Sequence, residues 1–279
     1  MKGLLLVVFK NAPAIAGAFF ISLLCATVLY SLPAQAGQCR LDKRFGSVQR
    51  VRLDYVIDGD TVRLKDGRSV RLLAINSPEI GQDDKEAEPY GDAAKQALKK
   101  LVHSKQELLI QVAGKDHYGR TLGYLFTSED SLLSASLLNQ GLAYQVFMEG
   151  SDAYTECLKA AEASARDKQL SLWSQKPINI REKANIHSGF MIINGTVKKI
   201  SKPKKSEFIW LEMDGDMVVR VPGHIVSQSW LDQIKGKNIE VRGWVKDRRN
   251  NGSDNKNAFK KRFKPWMMLI YQTDSVRID

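Results

Sequence analysis

Cysteine and histidine are scarce in this chain of 279 residues, at 3 and 4 copies, and neither is clustered. No His-x-x-x-His or Cys-x-x-Cys occurs, which excludes the common zinc patterns. A Gly-x-Ser-x-Gly elbow and a phosphate-binding P-loop are also missing, which removes the signals for serine hydrolases and P-loop nucleotide enzymes. No basic amphipathic helix is evident, and this weighs against a protein that works by adsorbing to anionic lipid. Acidic residues are in deficit: 42 lysines and arginines against 31 aspartates and glutamates leave a net charge of +11. That excess favours a polyanionic partner, either nucleic acid or an anionic membrane surface, without identifying a fold.

Charge is absent from Ala14 to Leu32, and Lys2 and Lys10 flank the apolar residues before it. Ala34-Gln35-Ala36 then matches the small-x-small pattern of a secretory signal, so residues 1–36 are expected to be removed between Ala36 and Gly37. The protein would be exported, to a periplasm or beyond the cell. The alternative is an uncleaved membrane anchor over residues 14–32, because the apolar stretch is long for a signal peptide. After cleavage only Cys39 and Cys157 remain. In an oxidising compartment they can form one disulfide, the alternative being two unpaired thiols.

Patterning predicts a mostly β fold with added helices (α+β). Val51, Leu53, Tyr55 and Ile57 alternate as in a strand. Val62 to Leu64 and Val70 to Ile75 follow on either side of Asp66-Gly67, a hairpin turn. A helix is expected over Gly91–Val102, strands over Leu108–Ala113 and Thr121–Phe126, and helices over Ser131–Gln140 and Asp152–Trp173. This order fits a five-stranded Greek-key barrel with helices, within residues 37–175. Residues 176–189 read as a polar linker. Residues 190–279 repeat the order of three strands, a helix and two strands, and are expected to form a second, smaller OB-like barrel.

The chemistry concentrates between Asp58 and Glu79. Asp58-Gly59-Asp60-Thr61 sets two carboxylates on a turn, although Asp-Gly alone is the commonest hairpin signal. Arg71 lies inside Val70-Arg71-Leu72-Leu73, where a buried unpaired guanidinium would be costly, so it faces either solvent or a concave site. Its planar fork suits two phosphate oxygens. Ser77-Pro78-Glu79 can cap a helical turn while still presenting a carboxylate. Asp116-His117-Tyr118-Gly119-Arg120 offers a second arginine on a turn. Oxygen donors, two arginines and a free carboxylate are what metal-assisted phosphodiester hydrolysis needs.

Together these segments resemble the thermonuclease, or staphylococcal-nuclease-like, family over roughly residues 50–175. The resemblance implies an OB-type barrel and a calcium-dependent nuclease acting on DNA and RNA. It implies calcium on Asp60, Asn76 and the Ser77 carbonyl, with Asp58 supporting. Arg71 and Arg120 would hold the phosphate, and Glu79 would act as general base. Cleavage would break the P–O5′ bond and leave 3′-phosphate ends, endonucleolytically on single-stranded or opened regions. The chain departs from the family at Asn76, where well-known members carry a calcium-binding aspartate. One ligand charge fewer predicts weaker metal binding. A family tyrosine beside the nucleotide matches Tyr144, which as a residue reads equally well as core packing. Tyr90 matches a family position of structural support. The alternative reading is a nucleic-acid-binding protein without catalysis; Asn76 favours it and the four residues Asp60, Arg71, Glu79 and Arg120 oppose it.

In the C-terminal half, the loops at 201–205 and 246–264 are rich in lysine and arginine, among them Lys204, Lys205, Arg248, Arg249, Lys260, Lys261 and Arg262, with Phe259 and Phe263 nearby. Cations with aromatics suit single-stranded nucleic acid, and a solvated loop is the alternative. No protein partner is inferred, a monomer is expected, and a membrane enters only if the N-terminal segment is retained.

Overall fold

The computed structural model describes residues 39–81, 86–102, 107–149, 153–182, 185–249 and 264–278. The predicted signal segment and Phe259 to Phe263, with Lys260, Lys261 and Arg262, lie outside these residues. Among the described residues no helix is long and apolar enough to cross a membrane.

Five strands close the first barrel in the order β1-β2-β3-β6-β5: β1 (Val48–Val56), β2 (Thr61–Leu64), β3 (Ser69–Leu72), β5 (Glu107–Lys115) and β6 (Thr121–Phe126). All neighbours are antiparallel except β3 and β6. Alternation sorts the side chains: Val62, Leu64, Val70, Leu72, Leu108 and Ile110 fill the interior and are almost fully buried. Helix α1 (Gly91–Leu101) connects β3 to β5 and buries Ala94, Ala97 and Leu98. Helix α2 (Leu133–Asn139) and helix α3 (Thr155–Asp167) pack on the same core. A two-stranded ladder of β4 (Ile75–Asn76) and β7 (Tyr144–Gln145) lies beside the barrel and pairs Asn76 with Tyr144. Cys39 and Cys157 are joined by a disulfide with Cα atoms 5.6 Å apart, tying the segment before β1 to α3.

The second sheet repeats the plan. Strands β9 (Gly189–Ser201), β10 (Phe208–Met213), β11 (Met217–Pro222), β12 (Asn238–Asp247) and β13 (Trp266–Leu269) pair in the circuit β9-β10-β11-β13-β12-β9. Again only the third and fifth strands, β11 and β13, run parallel. Helix α4 (Gln228–Ile234) occupies the connection that α1 fills in the first barrel. Both halves are therefore five-stranded OB-type barrels. A further short strand, β14 (Val276–Ile278), pairs with β12 and was not legible in the pattern.

Two expectations need correction. Residues 176–189 are not a free linker. Strand β8 (Ile178–Asn179) adds to β9, and Ile180 and Ile186 are buried in the second core, because their burial outweighs the polar composition around them. The helix expected over Asp152–Trp173 stops at Asp167. Gln169 and Ser171 then adopt left-handed backbone, with φ of 52° and 46°, before a 3₁₀ turn at Ser171–Ser174.

The barrels meet through buried charge. Arg242 on β12 donates to both oxygens of Glu162 on α3, at 2.8 and 2.6 Å, and to the Gln145 carbonyl at 3.2 Å. Glu162 also accepts the Gln145 backbone N–H at 2.7 Å. Beside it, Glu240 on β12 accepts from Arg166 of α3 at 2.8 Å and from Arg242 at 3.2 Å. At the edge, Lys159 pairs with Asp274.

Candidate active site

The turn between β1 and β2 is held by its own backbone. Ile57 and Asp58 both donate to the Thr61 carbonyl, and Asp58 Oδ1 accepts the Asp60 N–H at 3.0 Å. Gly59 is required by space: a Cβ there would lie 2.6 Å from both Ala94 Cβ and Ser77 Oγ. The turn therefore presses against α1 and the Ser77 segment. Gly91 plays the matching part at the start of α1, where a Cβ would come within 2.3 Å of the Glu79 carbonyl.

Asp60 is completely buried, which an isolated carboxylate would not tolerate. Its Oδ2 accepts the Ser77 N–H at 2.7 Å, and its Oδ1 accepts the Thr61 hydroxyl at 3.1 Å and pairs with Arg71. Arg71 reaches it from β3, where Val70 and Leu72 point into the core and leave Arg71 facing out of the barrel. The same guanidinium donates to Asn76 Oδ1 at 2.9 Å. Asp60 and Asn76 thus converge on one cationic group. Between β3 and β4, Ala74 takes a left-handed φ of 62°, a strained turn that delivers Asn76 to this point.

Glu79 is exposed at the rim, and its backbone exchanges hydrogen bonds with Glu88, whose Oε2 accepts the Glu79 N–H at 3.0 Å. Burial and then the Asp58 charge push its carboxyl above the ordinary glutamate range, against the pull of Arg71 and Arg120. Asp58 is likewise raised by burial, against the attraction of Arg71 and Arg120. Burial lowers the affinity of Arg71 for its proton, with Asp58 opposing. Arg120 follows the β5–β6 turn. Asp116 accepts its backbone N–H at 2.9 Å and its Nε at 2.7 Å. Burial alone would raise Asp116; these bonds outweigh it and hold the carboxyl below its usual value. Asp58, Asp60, Arg71, Asn76, Ser77, Glu79 and Arg120 accordingly form one electrostatically connected patch.

Tyr144 lies on β7 opposite Asn76 and is half-buried. Its ring lies edge-on to Trp173 at 5.2 Å and tilted to Phe190 at 5.9 Å, in a small apolar cluster between the barrels. Burial, with Glu162 adding, pushes its hydroxyl up to about 12. Tyr90, in left-handed backbone before α1, approaches Ser174 through its hydroxyl at 3.3 Å. Among the described residues no three His, Cys, Asp or Glu side chains gather as a metal cluster. The donors available are Asp58, Asp60, the Asn76 amide oxygen and the Ser77 carbonyl.

The profile of the family described as "Staphylococcal nuclease homologue" matches residues 69–175. The thermonuclease of Staphylococcus intermedius is 36% identical over 124 residues, covering 43% of this chain and 73% of that protein. The chain belongs to this family. The thermonuclease of Staphylococcus hyicus is 31% identical over 130 residues, 45% of this chain and 76% of that protein. Endonuclease YncB of Bacillus subtilis (strain 168) is 34% identical over 131 residues, 45% of this chain and 62% of that protein. The family profile ends before β8, so the second barrel lies outside it.

Of the C-terminal cations predicted to bind nucleic acid, Lys204 and Lys205 are exposed in the β9–β10 loop. Arg249 is paired with Asp247 at 2.7 Å and stacks over Trp266 at 4.7 Å. Arg248 lies over Trp210 at 5.7 Å. Residues not anticipated are Glu88 behind Glu79, Asp116 behind Arg120, and the Glu162–Arg242 pair. The Asp116–Arg120 spacing on one turn was a usable signal; the other two pairings are not local in sequence.

Proposed function

We propose that this protein is an exported, calcium-dependent nuclease that hydrolyses phosphodiester bonds of DNA and RNA within single-stranded or opened regions. The observation that carries the reading is the convergence of Asp60 and Asn76 on the Arg71 guanidinium, with Glu79 and Arg120 close enough to alter the same charges. The relatives' names, thermonuclease and endonuclease, support the class of reaction.

The donor set fits a hard cation. Two oxygens from different segments already converge on a positive group, and the further donors are oxygens as well. Asp60, Asn76 and the Ser77 carbonyl would hold calcium, with Asp58 near. When bound, calcium supplies divalent charge that polarises a phosphate oxygen. Arg71, turned from its carboxylate partner to the substrate, binds two phosphate oxygens through its fork. Glu79 accepts a proton from water, whose oxygen attacks phosphorus in line with the departing oxygen. Arg120, held by Asp116, stabilises the added negative charge at phosphorus. The P–O5′ bond breaks and the departing 5′ oxygen takes up a proton from solvent, leaving a 3′-phosphate and a 5′-hydroxyl.

Export is supported by the predicted signal segment and by a Cys39–Cys157 disulfide, which suits an oxidising compartment. Mass spectrometry of the products from a defined single-stranded oligonucleotide tests the chemistry. Internal cuts with 3′-phosphate ends are expected; 5′-phosphate ends would contradict the assigned bond cleavage.

A further inference from the structure

The outward face of the second barrel carries aromatic and basic side chains on β10 and β11. On β10, Ile209, Leu211 and Met213 are buried, so Phe208 and Trp210 point outward. On β11, Arg220 points outward between buried Val219 and Val221, and it is the register partner of Trp210. Its guanidinium carbon lies 3.6 Å from the centre of the Phe208 ring and 5.6 Å from that of Trp210. Arg248, just beyond β12, covers Trp210 from another side at 5.7 Å. Two arginines and two aromatics thus share one patch, and Lys204 and Lys205 are exposed in the loop that leads into β10.

A purely structural role accounts poorly for this patch. Burial and then the charge of Arg220 lower the pKa of Arg248, so the two guanidiniums are close enough to repel. Arg220 has no carboxylate partner among the described residues, whereas neighbouring Arg249 has Asp247. Trp210 Nε1–H and Arg220 Nε–H have no acceptor among the described residues, a cost that a cluster selected for stability alone would avoid. There is also an internal parallel. Arg71 projects outward from the third strand of the first barrel, next to its parallel fifth strand, and Arg220 does the same in the second.

We propose that the face formed by Phe208, Trp210, Arg220 and Arg248 binds a single-stranded nucleic acid, with bases on the aromatic rings and phosphates on the arginines. Aromatic faces accept any base, arginines attract the backbone, and OB-type barrels present their second and third strands to oligonucleotides. A polyanion without bases would be held by the arginines alone. The inference rests on the nuclease reading only in taking the bound strand to be the substrate.

The test uses the full chain with Glu79→Gln added to prevent cleavage, and fluorescence anisotropy of a labelled oligothymidylate of about twenty nucleotides, a length that spans one OB site. Trp210→Leu should weaken binding roughly tenfold, the scale of one lost stacking contact. Trp210→Phe, which keeps an aromatic face, should stay within a few-fold of the parent. Arg220→Met should weaken binding and reduce the logarithmic salt slope by about 0.7, one phosphate contact on a single strand. Inorganic polyphosphate should be indifferent to Trp210→Leu. The proposal is overturned if both Trp210 variants bind the oligonucleotide like the parent, if both lose binding equally, or if polyphosphate binding falls with the leucine variant by the same factor. Cleavage of a dinucleotide-sized substrate, measured with Glu79 intact, reports the first barrel separately. If that activity is missing in the wild type while the anisotropy pattern holds, the nuclease reading fails and the binding face stands.

Discussion

Replacing Arg242 with methionine tests how the two barrels depend on each other. Glu162 is 7% exposed and receives both of its charge-assisted hydrogen bonds from Arg242; among the described residues only the Gln145 N–H remains once that side chain is gone. Methionine fills much of the volume but leaves the carboxylate buried without a cation. Breaking one side of a buried ion pair costs about 3–5 kcal/mol. Glu240, at 1% exposure, keeps Arg166 and Arg277, so the loss centres on Glu162. At about 2–4 °C per kcal/mol for a chain of this size, the melting temperature should fall by roughly 6–20 °C. Thermal and urea unfolding of Arg242→Met, Glu162→Gln and the double variant form a cycle. The double variant should recover most of the loss, because no net charge is then left buried. A single-variant cost below about 1 kcal/mol, within the range of a surface pair, would refute the claim that this contact is buried and coupled.

The remaining expectations concern the site and its frame. The acid limb of kcat should lie above the ordinary glutamate value of 4.5, because burial and Asp58 favour the protonated Glu79, and a base must lose that proton to act. Activity is therefore lost as pH falls through the raised pKa; Asp58→Asn should move the limb to lower pH, and Glu88→Gln should do so by less, as seen in pH–rate profiles. Asn76→Asp should lower the calcium concentration for half-maximal activity on the order of tenfold by restoring a ligand charge; an unchanged titration would remove Asn76 from the metal site. Reducing the Cys39–Cys157 disulfide, which closes a separation of 118 residues, should cost about 2–5 kcal/mol in urea unfolding, and two alkylatable thiols in material from an oxidising compartment would contradict the bond.

Much of the candidate site was legible because its signals are local. Asp58-Gly59-Asp60 announces a turn, and an arginine inside Val70-Arg71-Leu72-Leu73 announces a polar group on a barrel strand. The same logic applies to Arg220 within Val218-Val219-Arg220-Val221. The succession of strands and helices along both barrels was legible in period-two alternation and turn signals. What stayed hidden depends on tertiary contact. Glu162 and Arg242 are separated by 80 residues, and nothing near either one announces its partner. Ile180 looked like part of a linker because its neighbours are polar, and only the second core explains its burial. Tyr144 in sequence fits a ligand contact and core packing equally well, and its ring neighbours Trp173 and Phe190 come from distant segments.

The most direct test of the central claim is the turnover of single-stranded DNA by the purified protein with calcium, with magnesium and with chelator, beside Glu79→Gln and Arg71→Ala. The account predicts cleavage with calcium that chelator abolishes. It also predicts losses of about 10²–10⁴-fold in each variant, the scale of a positioned acid–base or charge-stabilising group, with melting temperatures near that of the wild type. Turnover within a few-fold of wild type in either variant would place the catalytic site elsewhere, and no cleavage by the folded wild type under any metal would contradict the account.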